Sequence, residues 1–301
     1  MNEIGIRQNS NSALRFLGAQ EALYSTAKQW QGWQFFLLVP VTIVLSVAAL
    51  WHPGLKSYIA LYGLSMTLLD SVVVRPKIGR LRKEGAQIQE LFDCNVLEID
   101  WNRFRIARRP ETELVEENYA RFLSRGGANT QIKDWYPQCV ANVPIGFARI
   151  ICQRQNCWWD AKLRRRYAVV VVATVTLTTF IAFVVSLFGG LTLEKFVLLV
   201  LAPLLPIWSV GLHQYSEHKE AADSGFRLKE LSEELWEAAI TSDNDPSEHE
   251  SRELQDSILD HRSRSPLLFD WFYSKHRTQF EAQARRSAEE ASQAVASRYA
   301  P

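Results

Sequence analysis

The residues whose types and spacing could do chemistry are aromatic and cationic side chains grouped in two short segments. The first is Asp-Trp-Tyr-Pro at 134–137, and the second runs over 152–160 and is followed by the arginines at 164–166. Indole and phenol rings stack on nucleobases, and guanidinium groups hold phosphate through paired hydrogen bonds. On a helix, Arg154 and Trp158 would share one face because they are four residues apart. The pattern predicts a nucleotide-binding site with six candidate residues: Trp135, Tyr136, Arg154, Asn156, Trp158 and Arg165.

The same residues have two simpler interpretations. Trp158 and Trp159 precede an apolar stretch, where indole rings commonly form a belt at the surface of a bilayer. The neighbouring arginines favour retention on the cytoplasmic side of a membrane, and they would bind anionic lipid headgroups as well as a soluble nucleotide. The residues alone leave these alternatives open.

Motifs for catalysis and metal binding are missing from the sequence. It contains neither a G-x-S-x-G nucleophile motif nor a G-x-x-x-x-G-K phosphate-binding loop. The six histidines show no H-x-x-x-H spacing, and the four cysteines form no C-x-x-C pair. We therefore expect no enzymatic activity, no cofactor, no metal and reduced thiols.

The candidate binding residues lie in a chain that contains four apolar stretches. They cover residues 33–51, 58–74, 167–188 and 196–212. Each is close to the ~20 residues that a helix needs to cross a bilayer. Short links join the first stretch to the second and the third to the fourth. The sequence thus predicts an all-α integral membrane protein with four transmembrane helices in two hairpins, and mostly helical cytoplasmic central and C-terminal regions.

The positions of the cations predict the orientation of these spans. Five Lys or Arg residues lie within 75–83 and four within 162–166, whereas each short link carries one. Because such residues resist translocation, both links should face outward and both termini should be cytoplasmic. The predicted segments are a cytoplasmic N-terminal segment 1–32, a first transmembrane hairpin 33–74, a basic cytoplasmic central region 75–166, a second hairpin 167–212 and an acidic helical cytoplasmic region 213–301.

The whole-chain charge of +1 conceals two opposite charges. Residues 75–166 hold 18 Lys and Arg against 11 Asp and Glu, a net +7, and residues 213–301 hold 11 against 18, a net −7. Opposed fields of this kind steer both ligands and domains. The basic region could therefore attract an anionic ligand or the acidic region.

A few polar residues within the apolar stretches are candidates for membrane or gating roles. Asp70 precedes Arg75 by five residues, which is about 7 Å along a helix. It could pair with that arginine or face an ion path. Thr174 and Thr178 lie one turn apart in the third stretch, where their hydroxyls could bond to the preceding turn or line a pore.

The cytoplasmic regions are predicted to be mostly helical. One helix should follow Pro110 and end at the glycines 126–127. Another should run from Pro144 into the third apolar stretch, and the fourth stretch should continue as a stalk that ends at 242–246. Residues 92–101 form the one plausible strand.

Several longer motifs occur in a recognisable order. They are Leu-Phe-Asp-Cys at 91–94, Asp-Trp-Tyr-Pro at 134–137, Cys-Gln-Arg-x-Asn-Cys-x-Trp-Asp at 152–160 with Leu-Arg-Arg at 163–165, His-Arg at 261–262 and Phe-Asp-Trp-Phe-Tyr at 269–273. Together with the two hairpins, they resemble the SMODS-associated four-transmembrane effector family over about residues 10–290.

This resemblance implies a role in bacterial cyclic-oligonucleotide antiphage signalling (CBASS). In such systems a nucleotidyltransferase of the cGAS/DncV-like class makes a cyclic di- or trinucleotide second messenger, which the effector binds. For a four-span effector it implies a homo-oligomer that permeabilises the lipid bilayer of the inner membrane and causes abortive infection. The alternative is a constitutive ion channel or transporter with a regulatory cytoplasmic domain and Asp70 in its ion path.

Overall fold

The computed structural model of the chain describes residues 2–106, 108–188, 192–197, 201–242 and 245–299. Within these residues all regular structure is helical and no strand occurs, which confirms the all-α class. The α-helices are α1 (Ile4–Arg7), α2 (Asn11–Phe36), α3 (Thr42–Trp51), α4 (Lys56–Leu69), α5 (Arg75–Leu97), α6 (Thr112–Ser124), α7 (Asn129–Ile132), α8 (Ile145–Phe188), α9 (Leu193–Phe196), α10 (Ala202–Thr241), α11 (Glu248–Arg264) and α12 (Asp270–Arg298).

Two helices are long and apolar enough to cross a membrane, judged by length and composition. The first is the continuous helical stretch Ser57–Leu97, which runs through α4, a π-helical turn and α5 and contains the second predicted span. The second is Ile145–Phe188, which is α8 and contains the third predicted span. The first predicted span is divided among the end of α2, a π-helical turn at Leu37–Val41 and α3. The fourth, residues 196–212, lies partly outside the described residues. The four-span topology therefore stays a prediction.

The π-helical turn at Leu37–Val41 contains Pro40. Proline lacks the N–H that would continue the α-helical ladder, so the backbone departs from α geometry at this turn. A second π-helical turn, Asp70–Val74, joins α4 to α5.

The chain divides into two compact units. The polar unit consists of Met1–Thr26, Leu81–Arg164 and Ala221–Pro301, and the apolar unit of Ala27–Arg80 and Arg165–Glu220. Helices α8 and α10 are continuous over 44 and 40 residues, and each contributes residues to both units. Their continuity confirms the predictions that a helix runs into the third stretch and that a stalk follows the fourth.

The polar unit has a buried apolar core. Among its side chains, Phe92 and Val96 of α5, Tyr136, and Phe147 of α8 have no exposed surface. The apolar face of α6 closes this core with Phe122, which is also buried. Gly126 follows α6 with a φ of +85°, a left-handed conformation that glycine adopts without strain. The predicted helix between Pro110 and the glycines is thus confirmed.

Large apolar side chains are exposed mainly in the apolar unit. Of 30 exposed large apolar and aromatic residues in the described part of the chain, 24 belong to it. Examples are Leu61, Leu64 and Leu68 of α4, and Phe180 and Phe183 of α8. A soluble protein rarely leaves so much apolar surface in water, whereas a bilayer accommodates it.

The predicted strand at 92–101 is wrong. Helix α5 continues to Leu97, and Phe92 and Val96 lie four residues apart on its buried side. Glu98, the residue that follows the helix, has a φ of +53°. The N–H of Ile99 donates to the Cys94 carbonyl at 3.1 Å, and Arg149 donates to the Leu97 carbonyl at 2.7 Å. A long-range arginine therefore satisfies a helix end that local sequence does not mark.

Candidate functional site

Several of the sequence motifs meet at Asp93, whose carboxylate is fully buried in the polar unit. The Tyr136 hydroxyl donates to Oδ1 at 2.6 Å, and the Arg262 guanidinium donates to Oδ2 at 2.5 Å. Gln255 Nε2 also donates to Oδ2, at 2.9 Å. Asn156 Nδ2 in turn donates to the Tyr136 oxygen at 3.0 Å. Residues far apart in the chain therefore form one hydrogen-bonded network.

A second ion pair lies beside the first, between Glu90 of α5 and Arg252 of α11. Arg252 Nη2 donates to Glu90 Oε1 at 2.6 Å, and Gln255 Nε2 donates to Oε2 at 2.8 Å. Burial raises the pKa of Glu90, and the charge of Arg252 offsets part of that effect. Arg252 also donates to the carbonyl of Asp100 at 2.8 Å, which ties the loop after α5 to α11.

A third charged cluster joins α8 to the end of α11. Asp160 Oδ2 accepts from Arg164 Nε at 2.6 Å and lies 2.8 Å from His261 Nε2. Arg164 also donates to the carbonyl of Pro266 at 2.5 Å. Burial by itself would raise the pKa of Asp160, but Arg164 and His261 outweigh burial and hold that pKa well below its usual range. Asp160 is therefore ionised at neutral pH.

Three of the four thiols in the polar unit lack the features of reactive cysteines. Burial raises the pKa of Cys157 to about 12 and also raises the pKa values of Cys152 and Cys94. A protonated thiol is a poor nucleophile, so these three side chains are poorly reactive near neutral pH. Among the described residues, no group of three or more His, Cys, Asp or Glu side chains is arranged to hold a metal ion.

Three of the six predicted ligand-binding residues lie in or against the core of the polar unit. Tyr136 is fully buried and stacks on Phe92 with ring centroids 5.9 Å apart. Trp135 is half-buried and packs edge-on against Phe92 at 6.3 Å. Asn156 is half-buried and bonds to Tyr136. The polar groups of Tyr136 and Asn156 are engaged within the chain, and the role of all three residues as ligand contacts stays a prediction.

The other three predicted residues all lie on helix α8, where Arg154 and Trp158 are four residues apart, as predicted for one face of a helix. Arg154 donates to Glu233 at 3.0 and 2.6 Å. Trp158 packs edge-on against Phe280 at 5.8 Å, with the Lys162 ammonium 4.6 Å from its ring centroid. Arg165 is exposed and falls in the apolar unit, whereas the other five belong to the polar unit.

The predicted gating residues all make local contacts in the apolar unit. Asp70 is buried, accepts from Gln34 Nε2 at 2.5 Å and pairs with Arg75 Nε at 2.7 Å. Thr174 donates to the Val170 carbonyl at 2.8 Å, and Thr178 donates to the Thr174 carbonyl at 2.9 Å. These bonds match the simpler of the two roles weighed for each residue, and a gating role stays a prediction.

The basic central region and the acidic C-terminal region are joined by ion pairs within the polar unit. In each pair, one partner comes from residues 75–166 and the other from residues 213–301. The pairs are Arg154 with Glu233, Glu90 with Arg252, Asp93 with Arg262, Asp160 with His261, and Arg105 with Asp260. Two of these pairs, Arg154 with Glu233 and Arg105 with Asp260, join a cation of the basic region to a carboxylate of the acidic region, whereas in the other three the carboxylate belongs to the basic region.

One basic and aromatic segment was missed by the sequence reasoning. A cleft of about 620 Å³ in the polar unit is lined by Asp100, Trp101, Arg103, Arg108 and Arg109. Like the predicted binding segments at 134–137 and 152–166, this segment combines arginines with a tryptophan. Its residue types could therefore have indicated a binding site. What the sequence did not show is that these arginines are exposed while Arg154 and Arg164 are engaged internally.

Comparison with known proteins identifies the class of the chain. A family model described as the SMODS-associating 4TM effector domain matches residues 2–291. The chain belongs to this effector family, which confirms the resemblance carried by the motifs. Among individual proteins, it is 22% identical over 275 residues to a protein of Bacillus cereus (strain VD146) described as a probable CBASS effector molecule. The match covers 89% of this chain and 90% of the relative. No solved structure matches the chain significantly.

Proposed function

We propose that this chain is the membrane effector of a CBASS antiphage system. In this proposal the polar unit binds a cyclic di- or trinucleotide, and the apolar unit then permeabilises the bacterial inner membrane. The observation that carries the proposal is the family match over residues 2–291, which includes both units. The probable CBASS role of the Bacillus cereus relative supports the same pathway. The messenger would come from a partner nucleotidyltransferase of the cGAS/DncV-like class.

The membrane part of the proposal has four spans as two hairpins, with both termini in the cytoplasm. Its support is the large number of exposed apolar side chains in the apolar unit and the two helices that are long enough to cross a bilayer. The cations at 75–83 and 162–166 favour the cytoplasmic side for the polar unit.

The proposed action is binding followed by rearrangement, without catalysis. The ligand can shift a closed–open equilibrium only by the difference between its affinities for the two states. Helices α8 and α10 contribute residues to both units, and they are the proposed route by which that difference acts on the spans. Because four helices enclose too narrow a space for a wide pore, the proposed active form is a homo-oligomer.

The test is leakage from liposomes that contain the purified full-length protein. Dye release and membrane potential are followed during titration with cyclic di-AMP, cyclic di-GMP, cyclic GMP-AMP and cyclic tri-AMP. Release triggered by one of these compounds, together with a ligand-dependent increase in mass by chemical crosslinking, is the expected result. Leakage that is independent of every compound, with no detectable binding, would contradict the proposal.

A further inference from the structure

The loop between α5 and α6 is fixed to helix α11 along one side. Asn102 Nδ2 donates to Asp256 Oδ2 at 2.6 Å, and Arg105 Nη1 donates to Asp260 Oδ2 at 3.2 Å. The Asp100 carbonyl accepts from Arg252 at 2.8 Å. The loop thus has a defined attachment to α11, although it has no regular secondary structure.

The arginines on the other side of this loop are exposed around the cleft. Arg103, Arg108 and Arg109 are all exposed. Within the described part of the chain, Arg103 forms no hydrogen bond or ion pair. Arg108 contacts Glu111 at 3.3 Å, but its side chain is 83% exposed, so water screens that pair strongly. Two of the three guanidinium groups are also neighbours in sequence, which concentrates positive charge.

The guanidinium of Arg109 lies over the indole of Trp101. Its Cζ is 5.7 Å from the ring centroid, a cation–π contact that positions the group while leaving its N–H donors available. The indole N–H donates to the Ile106 carbonyl at 3.1 Å, which fixes the ring. The cleft therefore combines an anchored aromatic ring with three fork-shaped donors.

The chemistry of these groups is suited to binding a phosphodiester. Guanidinium groups bind phosphate oxygens through paired hydrogen bonds, and a cleft of about 620 Å³ lies within the size range of small-molecule sites. Asp100 is the one carboxylate that lines it, and a carboxylate accepts from ribose hydroxyl or base amino groups. Three other arginines of the polar unit have their guanidinium groups engaged within the chain: Arg149 caps α5, Arg154 pairs with Glu233 and Arg164 pairs with Asp160.

We propose that the phosphodiester groups of the activating cyclic oligonucleotide bind in this cleft, held by Arg103, Arg108 and Arg109 beside Trp101. This inference rests on the proposed function and assigns its ligand to a place in the chain. The loop holds α11 through Asp256 and Asp260, and α11 also carries Arg252 and Arg262 of the buried ion pairs. Ligand bound at the loop thus acts directly on the helix that organises the network.

The test compares two double variants of the full-length protein in nanodiscs of phosphatidylcholine. Arg103→Ala/Arg109→Ala removes two cleft arginines, and Arg285→Ala/Arg286→Ala removes two exposed arginines of α12 as a charge-matched control. Binding of the four cyclic nucleotides named above is measured by equilibrium dialysis. We expect the first variant to bind the active compound about 100-fold more weakly, or about tenfold for each lost charged contact, and the control to bind as the wild type does.

A conservative pair of substitutions separates loss of charge from loss of geometry. Arg103→Lys/Arg109→Lys keeps both charges but cannot form paired bonds, so its affinity should lie between those of the wild type and the alanine variant. Circular dichroism and thermal unfolding of every variant should match the wild type, since the substituted side chains are exposed.

The outcomes distinguish failure of the site from failure of the function. Equal nucleotide binding by the wild type and the alanine variant would overturn the site and leave the proposed function standing. No binding of any compound to the wild type would overturn both. The headgroup of an anionic lipid is the other possible source of a phosphodiester. The wild type and the alanine variant are therefore also compared in nanodiscs that contain phosphatidylglycerol. If the arginines govern association with that lipid but not with nucleotide, the cleft is a lipid site and the inference is wrong.

Discussion

Asp93 accepts hydrogen bonds from Tyr136, Gln255 and Arg262 in a site that water does not reach. Removing one member of a buried ion pair costs about 3–5 kcal/mol because it leaves the other charge uncompensated. Asp93→Asn should lower the free energy of unfolding by about that amount, measured by denaturant titration in detergent.

The partner variant supplies the control for this prediction. Arg262→Gln should also destabilise, and Asp93→Asn/Arg262→Gln should cost clearly less than the two single changes together, because neither charge is then left alone. Strict additivity of the three values would show that the pair does not act as a unit.

The lowered pKa of Asp160 makes the folding stability of the protein depend on pH in the acid range. Arg164 and His261 outweigh burial and hold its folded pKa far below the unfolded value, which is about 3.9. The folded state therefore favours the ionised carboxylate, and this contribution is fully present above the unfolded pKa and lost as pH falls toward the folded pKa. We expect Asp160→Asn to be less stable than the wild type at about pH 5, with the difference shrinking below about pH 4.

The matched measurement is thermal unfolding of both proteins across the acid range. Arg164 and His261 face Asp160 directly, so His261→Gln is measured in parallel to show how much of the effect depends on the contact with the imidazole. A difference between wild type and Asp160→Asn that stays constant down to about pH 3 would contradict the assignment.

At the scale of helices, one ion pair joins α8 to α10. Glu233 of α10 accepts from Arg154 of α8 and also contacts Lys229. Burial raises the pKa of Glu233, but its bonds to Lys229 and Arg154 lower it more, so the carboxylate is charged at neutral pH. If the pair stabilises the resting state, Glu233→Gln should reduce the nucleotide concentration for half-maximal leakage by about threefold to tenfold.

The next residue in the chain provides the control. Glu234 is exposed, so Glu234→Gln changes the net charge equally without breaking the helix pair and should leave the leakage titration unchanged. An equal effect of both variants would assign the result to overall charge.

Helices α8 and α10 also approach each other closely within the polar unit. A Cβ added to Gly225 would lie 2.9 Å from the Cβ of Ala161, closer than such atoms normally come. Gly225→Ala should therefore destabilise the protein by about 1–3 kcal/mol, the usual cost of overpacking. Gly79→Ala, where nothing lies within 4 Å, is the control and should be neutral or slightly stabilising in thermal unfolding.

Helices were predicted well where the signal is local. Pro110 and the glycines at 126–127 bound α6, and the stretch from Pro144 to Tyr167 contains no breaker apart from Gly146, so α8 follows from its own residues. The strand at 92–101 failed because its short apolar run fits both periods, and the end of α5 depends on Arg149, about fifty residues away. Residue type selected Tyr136 and Asn156 as ligand contacts, but only the fold shows that they bond to each other.

At the scale of the whole molecule, the opposite net charges of the central and C-terminal regions have two separate consequences. The sequence gives +7 to residues 75–166 and −7 to residues 213–301, which left attraction of a ligand and attraction between the regions as equal alternatives. The pairs of Arg154 with Glu233 and of Arg105 with Asp260 each join a cation of the basic region to a carboxylate of the acidic region, so attraction between the opposite net charges operates at these contacts. The cleft arginines are exposed, and in the proposed site they are the basic groups that hold the anion.

Asp70 decides between the effector and a coupled transporter for the chain as a whole. It is buried in the apolar unit and bonded to Gln34 and Arg75, as expected of a group that fixes two helices. Asp70→Asn keeps an acceptor for Gln34, and Arg75 remains solvated because its side chain is 60% exposed. We therefore expect nucleotide-triggered leakage to persist, with a half-maximal concentration within about threefold of the wild type.

A transporter that uses this carboxylate would instead show nucleotide-independent ion flux in the wild type and lose it in the variant. Flux measured in liposomes with and without cyclic nucleotide separates the two, because the effector is silent without nucleotide whether residue 70 is Asp or Asn.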